Sequence, residues 1–413
     1  MDSTMTSESS TAYAWIWLPH ETEPVPAGRL DRDGEVYLFT YGRSYLERSN
    51  AIAVYLPELP LQRGPQTPLV GVVAGCIRDA APDGWGQRVI ENSLAGHGSS
   101  ELGLLTYLLH SGSNRIGALD FQLSAEEFAP RDQSTATYGE LLASAARVEA
   151  GEPLSPEIDG ALLHGTSVGG ARPKASLVDG DRQLIAKFSS TTDTSPMVQI
   201  EYVGMELAHR CGLNTAKVEL IDVLGKQVLI VERFDHPGNG TRFAMVSALT
   251  VLGLDELGAR YASYADLADQ IRARFTKPAA TLRELFARIT FNILIGNTDD
   301  HARNHAAFWD GDALTLTPAY DVCPYPRSGG EANQIMAIDR VGTRRSQVAV
   351  CTAAADIYHL DPADARAIIH AQIHTIRTHW EEVCDLARMS SVARKQLWGS
   401  AVLNPYATDG YQS

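Results

Sequence analysis

The sequence predicts an α+β protein of two lobes, with a further β-rich subdomain at the N-terminal end and an all-helical lobe at the C-terminal end. Three observations lead there. Runs of β-branched and aromatic residues broken by Gly and Asp turns fill the early chain. Apolar residues at helical spacing dominate from about residue 279 onward. Near the join of the two patterns, oxygen-bearing side chains cluster in one loop. The expected division is a disordered tail over 1–12, an N-terminal subdomain over 13–125, an N-lobe with a Gly-rich loop and a hinge over 126–278, and a helical C-lobe over 279–413.

The chain has 413 residues, of which 44% are apolar and 21% charged. That suits two or three packing units with a sizeable core and no need of a covalent staple. Cys76, Cys211, Cys323, Cys351 and Cys384 are scattered and form no CxxC pair, which points to reduced thiols in a cytoplasm rather than a disulfide framework or a zinc site. No apolar run is long enough for a membrane span. Met1 to Thr11 is rich in Ser and Thr, with neither a basic nor an apolar region, and reads as a tail rather than a signal peptide. A net charge of −15, from 35 basic and 50 acidic residues, disfavours nucleic-acid binding over the whole surface, so DNA association is expected only through a partner.

The elements follow in order. Asp31-Arg32-Asp33-Gly34 is a hairpin signal, and Glu35 to Tyr41 is the strand after it. Ala81-Pro82-Asp83-Gly84-Trp85-Gly86 opens a helix. A polar stretch from Glu126 to Glu157, helical near Tyr138 to Ala150, links two units. After the Gly-rich turn come a strand over Gln183 to Phe188, a helix over Gln199 to Cys211, and strands over Ala216 to Leu224 and Gln227 to Glu232. Thr281 to Ile295 and Pro362 to Val383 are long helices, and a hairpin turns at Asp310-Gly311-Asp312.

The chemistry is expected in Gly296-Asn297-Thr298-Asp299-Asp300-His301-Ala302-Arg303-Asn304 together with Leu316-Thr317-Pro318-Ala319-Tyr320-Asp321. An Asp, an Asn five residues on and a second Asp beyond a hairpin is the spacing protein kinases use to handle a hydroxyl and magnesium. A rival reading takes His301 and His305 with Asp299, Asp300 and Asp321 as transition-metal ligands of a hydrolase; against it, Asn304 is a poor zinc ligand and the segment reads as loop. In His164 to Lys174, Gly169 and Gly170 would let backbone N–H groups approach phosphate, although the GxxxxGK[ST] spacing is absent and a flexible connecting loop is the alternative. Lys187, in the apolar strand Leu184 to Phe188, needs an anion if buried: nucleotide phosphates or a carboxylate such as Glu201. The alternative is a strand-edge lysine reaching water. Val228 to Asp235 is a buried-type strand ending in charge, where Asp235 could reach a ribose hydroxyl or where Glu232, Arg233 and Asp235 could form a salt bridge. The basic run Arg340 to Arg345 could meet an acidic partner or nucleic acid, or simply be a solvated loop.

Taken together and in order, these pieces resemble the HipA family of bacterial toxin serine/threonine kinases. The matching residues are Ser167 to Lys174, Ile185 to Phe188, Val231 to Asp235, Gly296 to Asn304 and Leu316 to Asp321. Asp83-Gly84-Trp85-Gly86 and Asn114-Arg115-Ile116-Gly117-Ala118-Leu119 are similar to the family's N-terminal subdomain. The resemblance implies a bilobal protein-kinase-like fold using ATP and Mg2+. Lys187 would hold the α/β-phosphates, Glu232 and Phe234 would frame adenine, Asp299 would be the catalytic base, and Asn304 with Asp321 would bind magnesium. It also implies self-inactivation by autophosphorylation in the Gly-rich loop, with Ser167 as acceptor and Thr166 competing. The implied partners are a small DNA-binding antitoxin and a protein substrate such as an aminoacyl-tRNA synthetase. An inactive kinase-like module working only through the antitoxin is the reading from a different class.

Overall fold

The computed structural model describes residues 10–94, 102–131, 137–152, 170, 172–327 and 329–411. The chain folds as two compact units, each discontinuous in sequence. The first takes the chain up to Thr192 with Asp222–Val246 and Trp309–Asp312, and the second takes Asp193–Ile221, Ser247–Phe308 and Ala313 onward. The expected division was contiguous, whereas here the chain changes unit several times. Among the described residues no helix is long and apolar enough to cross a membrane. The five cysteines are free thiols.

The first unit holds two antiparallel sheets. In one, β1 (Thr11–Ile16), β2 (Val25–Asp33), β3 (Val36–Tyr41) and β4 (Leu119–Gln122) lie in the order β3-β2-β1-β4. Val36 to Tyr41 is the strand the aromatic alternation predicts. The turn is shorter than expected, however: Asp31 to Asp33 stay in the ladder opposite Leu38 to Val36, and the reversal falls on Gly34 at φ 60° and Glu35. The second sheet contains β5 (Lys174–Asp179), β6 (Arg182–Lys187) and β8 (Lys226–Glu232), with β6 pairing both neighbours antiparallel; a turn at Leu224 and Gly225 leads from β7 (Val218–Val223) into β8. Helices α1 (Gly84–Leu94), α2 (Leu104–His110) and α3 (Tyr138–Glu149) complete the unit. A capping box, Thr137 with Glu140, fixes the start of α3 inside the stretch read as a polar link.

The second unit is mainly helical and also carries most of β9 (Ala306–Trp309) and all of β10 (Leu314–Leu316). Its helices are α4 (Met197–Arg210), α5 (Tyr264–Arg274), α6 (Pro278–Ile295), α7 (Val348–Ala353), α8 (Pro362–Leu386) and α9 (Ser391–Leu397). Helix α6 is the core of the unit. Pro278 occupies its first turn, where a missing N–H costs nothing, and from Arg288 to Ile295 every residue is buried. A helix buried all round must satisfy its polar side chains internally. Arg288 pairs with Glu284 at 2.9 Å and donates to Thr317 O, and Thr290 Oγ1 donates to Gln372 Oε1 at 2.9 Å. The helix ends at Gly296, left-handed at φ 73°, where a Cβ would lie 2.7 Å from Ala401 O. Only glycine satisfies both conditions, so the catalytic-loop candidate leaves the core at a fixed point.

Candidate functional site

The first unit gathers the residues expected on the nucleotide side. Hairpin register sets Lys187 directly opposite Lys174 at one end of β5 and β6. The Lys174 Nζ lies so close to Gly170 that a Cβ there would fall 2.1 Å from it. Two ammonium groups and the end of a Gly-rich loop therefore share one end of a sheet, an arrangement suited to a polyanion. Gly170 is itself clamped: its N–H donates to Asp83 Oδ1 at 2.6 Å, and its carbonyl accepts from Trp85 N at 3.1 Å. The Trp85 indole N–H adds a bond to Lys174 O at 2.9 Å. Gly169, Ser167 and Thr166 lie outside the described residues.

Glu232 ends β8 opposite Leu184, and Phe234 follows it partly exposed. Asp235 departs from the expectation that it reaches a ribose hydroxyl. It is buried, and its oxygens accept from Arg233 Nε at 3.0 Å, Arg233 Nη2 at 2.7 Å and Gly117 N at 2.8 Å. Burial alone would raise its pKa, but Arg233, with lesser help from His236 and Gly117, holds it far below the usual carboxylate range. Arg233 also donates to Asn114 O at 3.0 Å and Asn114 Oδ1 at 2.6 Å. The salt-bridge alternative holds for Arg233 and Asp235. The segment Asn114 to Gly117 and the end of β8 are one polar knot.

In the second unit Asn304 is tied to Asp299, and Tyr320, which precedes Asp321, is tied to the same loop. Asp299 is exposed at the mouth of the loop, and its Oδ2 accepts from Tyr325 Oη at 3.2 Å. Asn304 donates its amide N–H to Asp299 O at 3.2 Å, which pins the nitrogen and leaves Oδ1 as the end able to face a cation. The Tyr320 hydroxyl, next to Asp321, donates to Arg303 O at 2.6 Å, tying the Asp321 segment to the loop. The Tyr325 phenol is raised well above its ordinary value, by burial first and then by Cys323, Asp299 and Asp321. Asp321 sits at φ 57°, a left-handed conformation unusual for a residue with a Cβ. Carboxylate and amide oxygens of this kind are the donors a hard cation such as magnesium takes.

Asp300, adjacent to Asp299, does different work. It is buried and accepts from Tyr264 Oη at 2.5 Å, Asn292 Nδ2 at 2.8 Å and His305 Nε2 at 3.0 Å. Burial would raise its pKa, but His305 and the Tyr264 hydrogen bond bring it below the ordinary value. The network continues from Asn292 to Asn297, whose carbonyl accepts from Gln334. This corrects the hydrolase reading. His305 and Asp300 bond to each other, and among the described residues no group of three or more His, Cys, Asp or Glu side chains is placed to hold a metal. In the basic run, Arg340 pairs with Asp269 at 2.8 Å and Arg344 donates to Arg260 O.

Sequence reasoning missed Lys174 as a site residue. Its signal lay in folding the hairpin about Gly180, which pairs Asp179 with Arg182 and, five rungs on, Lys174 with Lys187. It also missed Tyr325, which no spacing marks.

Two family models match the chain: the HipA-like C-terminal domain over residues 166–380 and the HipA N-terminal domain over residues 21–122. Among similar proteins, Y4mE of Sinorhizobium fredii is 27% identical over 327 residues, covering 71% of this chain and 73% of that one. The serine/threonine-protein kinase toxin HipA of Shewanella oneidensis is 26% identical over 184 residues, covering 38% of this chain and 42% of that one. The toxin YjjJ of Escherichia coli is 25% identical over 219 residues, covering 49% and 45%. The last two alignments span less than half of those proteins' own length. A solved complex of Shewanella oneidensis HipA, HipB and operator DNA matches in fold, with a TM-score of 0.69 at 20% identity over 94% of this chain and 96% of that one.

Proposed function

This chain belongs to the HipA family, and on that premise we propose that it is an ATP-dependent serine/threonine protein kinase acting as the toxin of a toxin–antitoxin pair. The observation that carries the reading is the tie of Asn304 to the Asp299 backbone and of Tyr320, the neighbour of Asp321, to the same loop at Arg303.

In the proposed reaction Asp299 orients the acceptor hydroxyl and takes its proton as the oxygen attacks the γ-phosphorus of ATP, the bond from that phosphorus to the β-phosphate oxygen breaks, and ADP leaves with the electron pair. Asn304 Oδ1 and the Asp321 carboxylate would hold magnesium, which when bound would neutralise charge on the phosphates. Lys187, with Lys174 opposite it, would face the α/β-phosphates, and Gly169 would offer a backbone N–H group, whereas that of Gly170, expected to do the same, is taken by Asp83. Glu232 and Phe234 frame the adenine. Asp235 serves by anchoring the end of β8 rather than by touching nucleotide. Little covalent chemistry falls to the protein, so positioning and electrostatics supply the rate.

The toxin role is supported by the names of the relatives, and a small DNA-binding antitoxin by the HipA, HipB and DNA complex that shares the fold. DNA would be met through that partner, as suits a chain of charge −15. Self-inactivation through phosphate on Ser167, beside the bound phosphates, and a substrate among aminoacyl-tRNA synthetases extend the same reading. Incubation with labelled ATP tests it. Label should enter the wild-type chain or an added synthetase, and Asp299→Ala or Asp321→Ala should remove transfer by at least about a thousandfold. Full transfer by either variant would refute the assignment. A wild-type chain that takes and passes no phosphate while still binding its antitoxin would favour the inactive-module reading.

A further inference from the structure

One charged side chain beside the catalytic loop has no role in the chemistry above. Arg327 follows Tyr325 by two residues, a span of at most about 7 Å. Its Nε donates to Ser400 O at 3.1 Å, while Nη1 and Nη2 are shielded from solvent and have no hydrogen-bond partner among the described residues. Two contacts set it next to the loop. Tyr325 N donates to Gly296 O at 3.1 Å, and Ala401, the neighbour of Ser400, closes over Gly296. Arg327 is thus held between the segment that touches Asp299 and the strip that floors the loop.

Shielded donors without acceptors are costly, and charged ones more so. The chain does not lack carboxylates, with 50 against 35 basic residues. Arg210 pairs with Glu382, Arg288 with Glu284, Arg340 with Asp269 and Arg394 with Asp385. None is placed on Arg327, where burial lowers the proton affinity and only Tyr406 opposes it. The two terminal nitrogens form the planar fork that takes a carboxylate through two parallel bonds. A cation with no carboxylate paired to it among the described residues favours an acidic ligand.

We infer that Arg327 receives an oxyanion of the acceptor polypeptide, the carboxylate of an Asp or Glu close in sequence to the hydroxyl that Asp299 engages. The acceptor hydroxyl belongs to the kinase reading, on which this rests, but the carboxylate contact can be measured without transfer. The test uses the full chain and a labelled peptide with a central serine among alanines, in versions carrying one Glu at each neighbouring position in turn. Affinity is read by fluorescence anisotropy and phosphate transfer is followed in parallel. One Glu position should improve affinity about tenfold or more, the scale of a charge-assisted bond. Arg327→Met should erase that gain, and Arg327→Lys, which keeps the charge without the fork, should retain only part of it. No Glu position better than alanine, or a gain that survives in Arg327→Met with an unchanged melting temperature, would overturn the inference. If Arg327→Met does not fold, an undiminished gain in Arg327→Lys overturns it. A phosphoserine peptide preferred over the Glu peptide would reassign the residue to a phosphorylated partner. Arg327-dependent binding without transfer would sink the kinase reading and leave this one standing.

Discussion

Asp321 is the most exposed to conflict between stability and use. At φ 57° it holds a conformation that costs a residue with a Cβ about 1 kcal/mol. Asp321→Gly should therefore leave the melting temperature unchanged or raise it by a few degrees while removing transfer. A lower melting temperature would show that the carboxylate is structural rather than a ligand. Asp235 is the opposite case, since its two oxygens are fully engaged by Arg233 and Gly117. Its folded pKa is depressed, so its contribution is complete above the unfolded value of about 3.9 and is lost as pH falls through the native value. The urea midpoint of the wild type should fall between pH 5 and pH 2. In Asp235→Asn it should be lower at pH 7, with a shallower acid decline. An identical pH profile in the two proteins would remove Asp235 from the knot.

Among the elements, helix α4 is packed with the least tolerance. At Gly204 an added Cβ would lie 2.2 Å from Val322 O, the carbonyl next to Asp321. Gly204→Ala is an ordinary helix-favouring change elsewhere, worth about 1 kcal/mol in its favour. Here it must push the backbone at Val322, costing about 1–3 kcal/mol and shifting Asp321. Transfer should fall further than the melting temperature alone accounts for; a stabilised, fully active variant would contradict the packing. The elements themselves were largely legible in the sequence. Strand β6 and helix α6 follow from period and breakers, which are local. Lys174 was not, because its role depends on register. Nor was the difference between Asp299 and Asp300, two identical neighbours. Tyr264, 36 residues earlier in the chain, turns Asp300 inward, and no local pattern records that. For Asp235 the sequence leaves a ribose contact and a salt bridge with its neighbour Arg233 both open, and the further partner Gly117 lies 118 residues away.

Within the first unit as a whole, the two N-terminal motifs are clamps rather than a separate module. Asp83 and Trp85 hold Gly170 and Lys174, and Asn114 to Gly117 hold Arg233 and Asp235. The early chain therefore sets the edges that face nucleotide in the proposed mechanism. The second unit is closed from the other end of the sequence. Leu403 N donates to Leu294 O at 2.7 Å, and Ala401 seals Gly296 where the catalytic loop begins. Translation gives that seal a temporal meaning. A ribosome that stops short of residue 401 has already made Asp299, Asn304 and Asp321, yet the loop carrying the first two still lacks its floor.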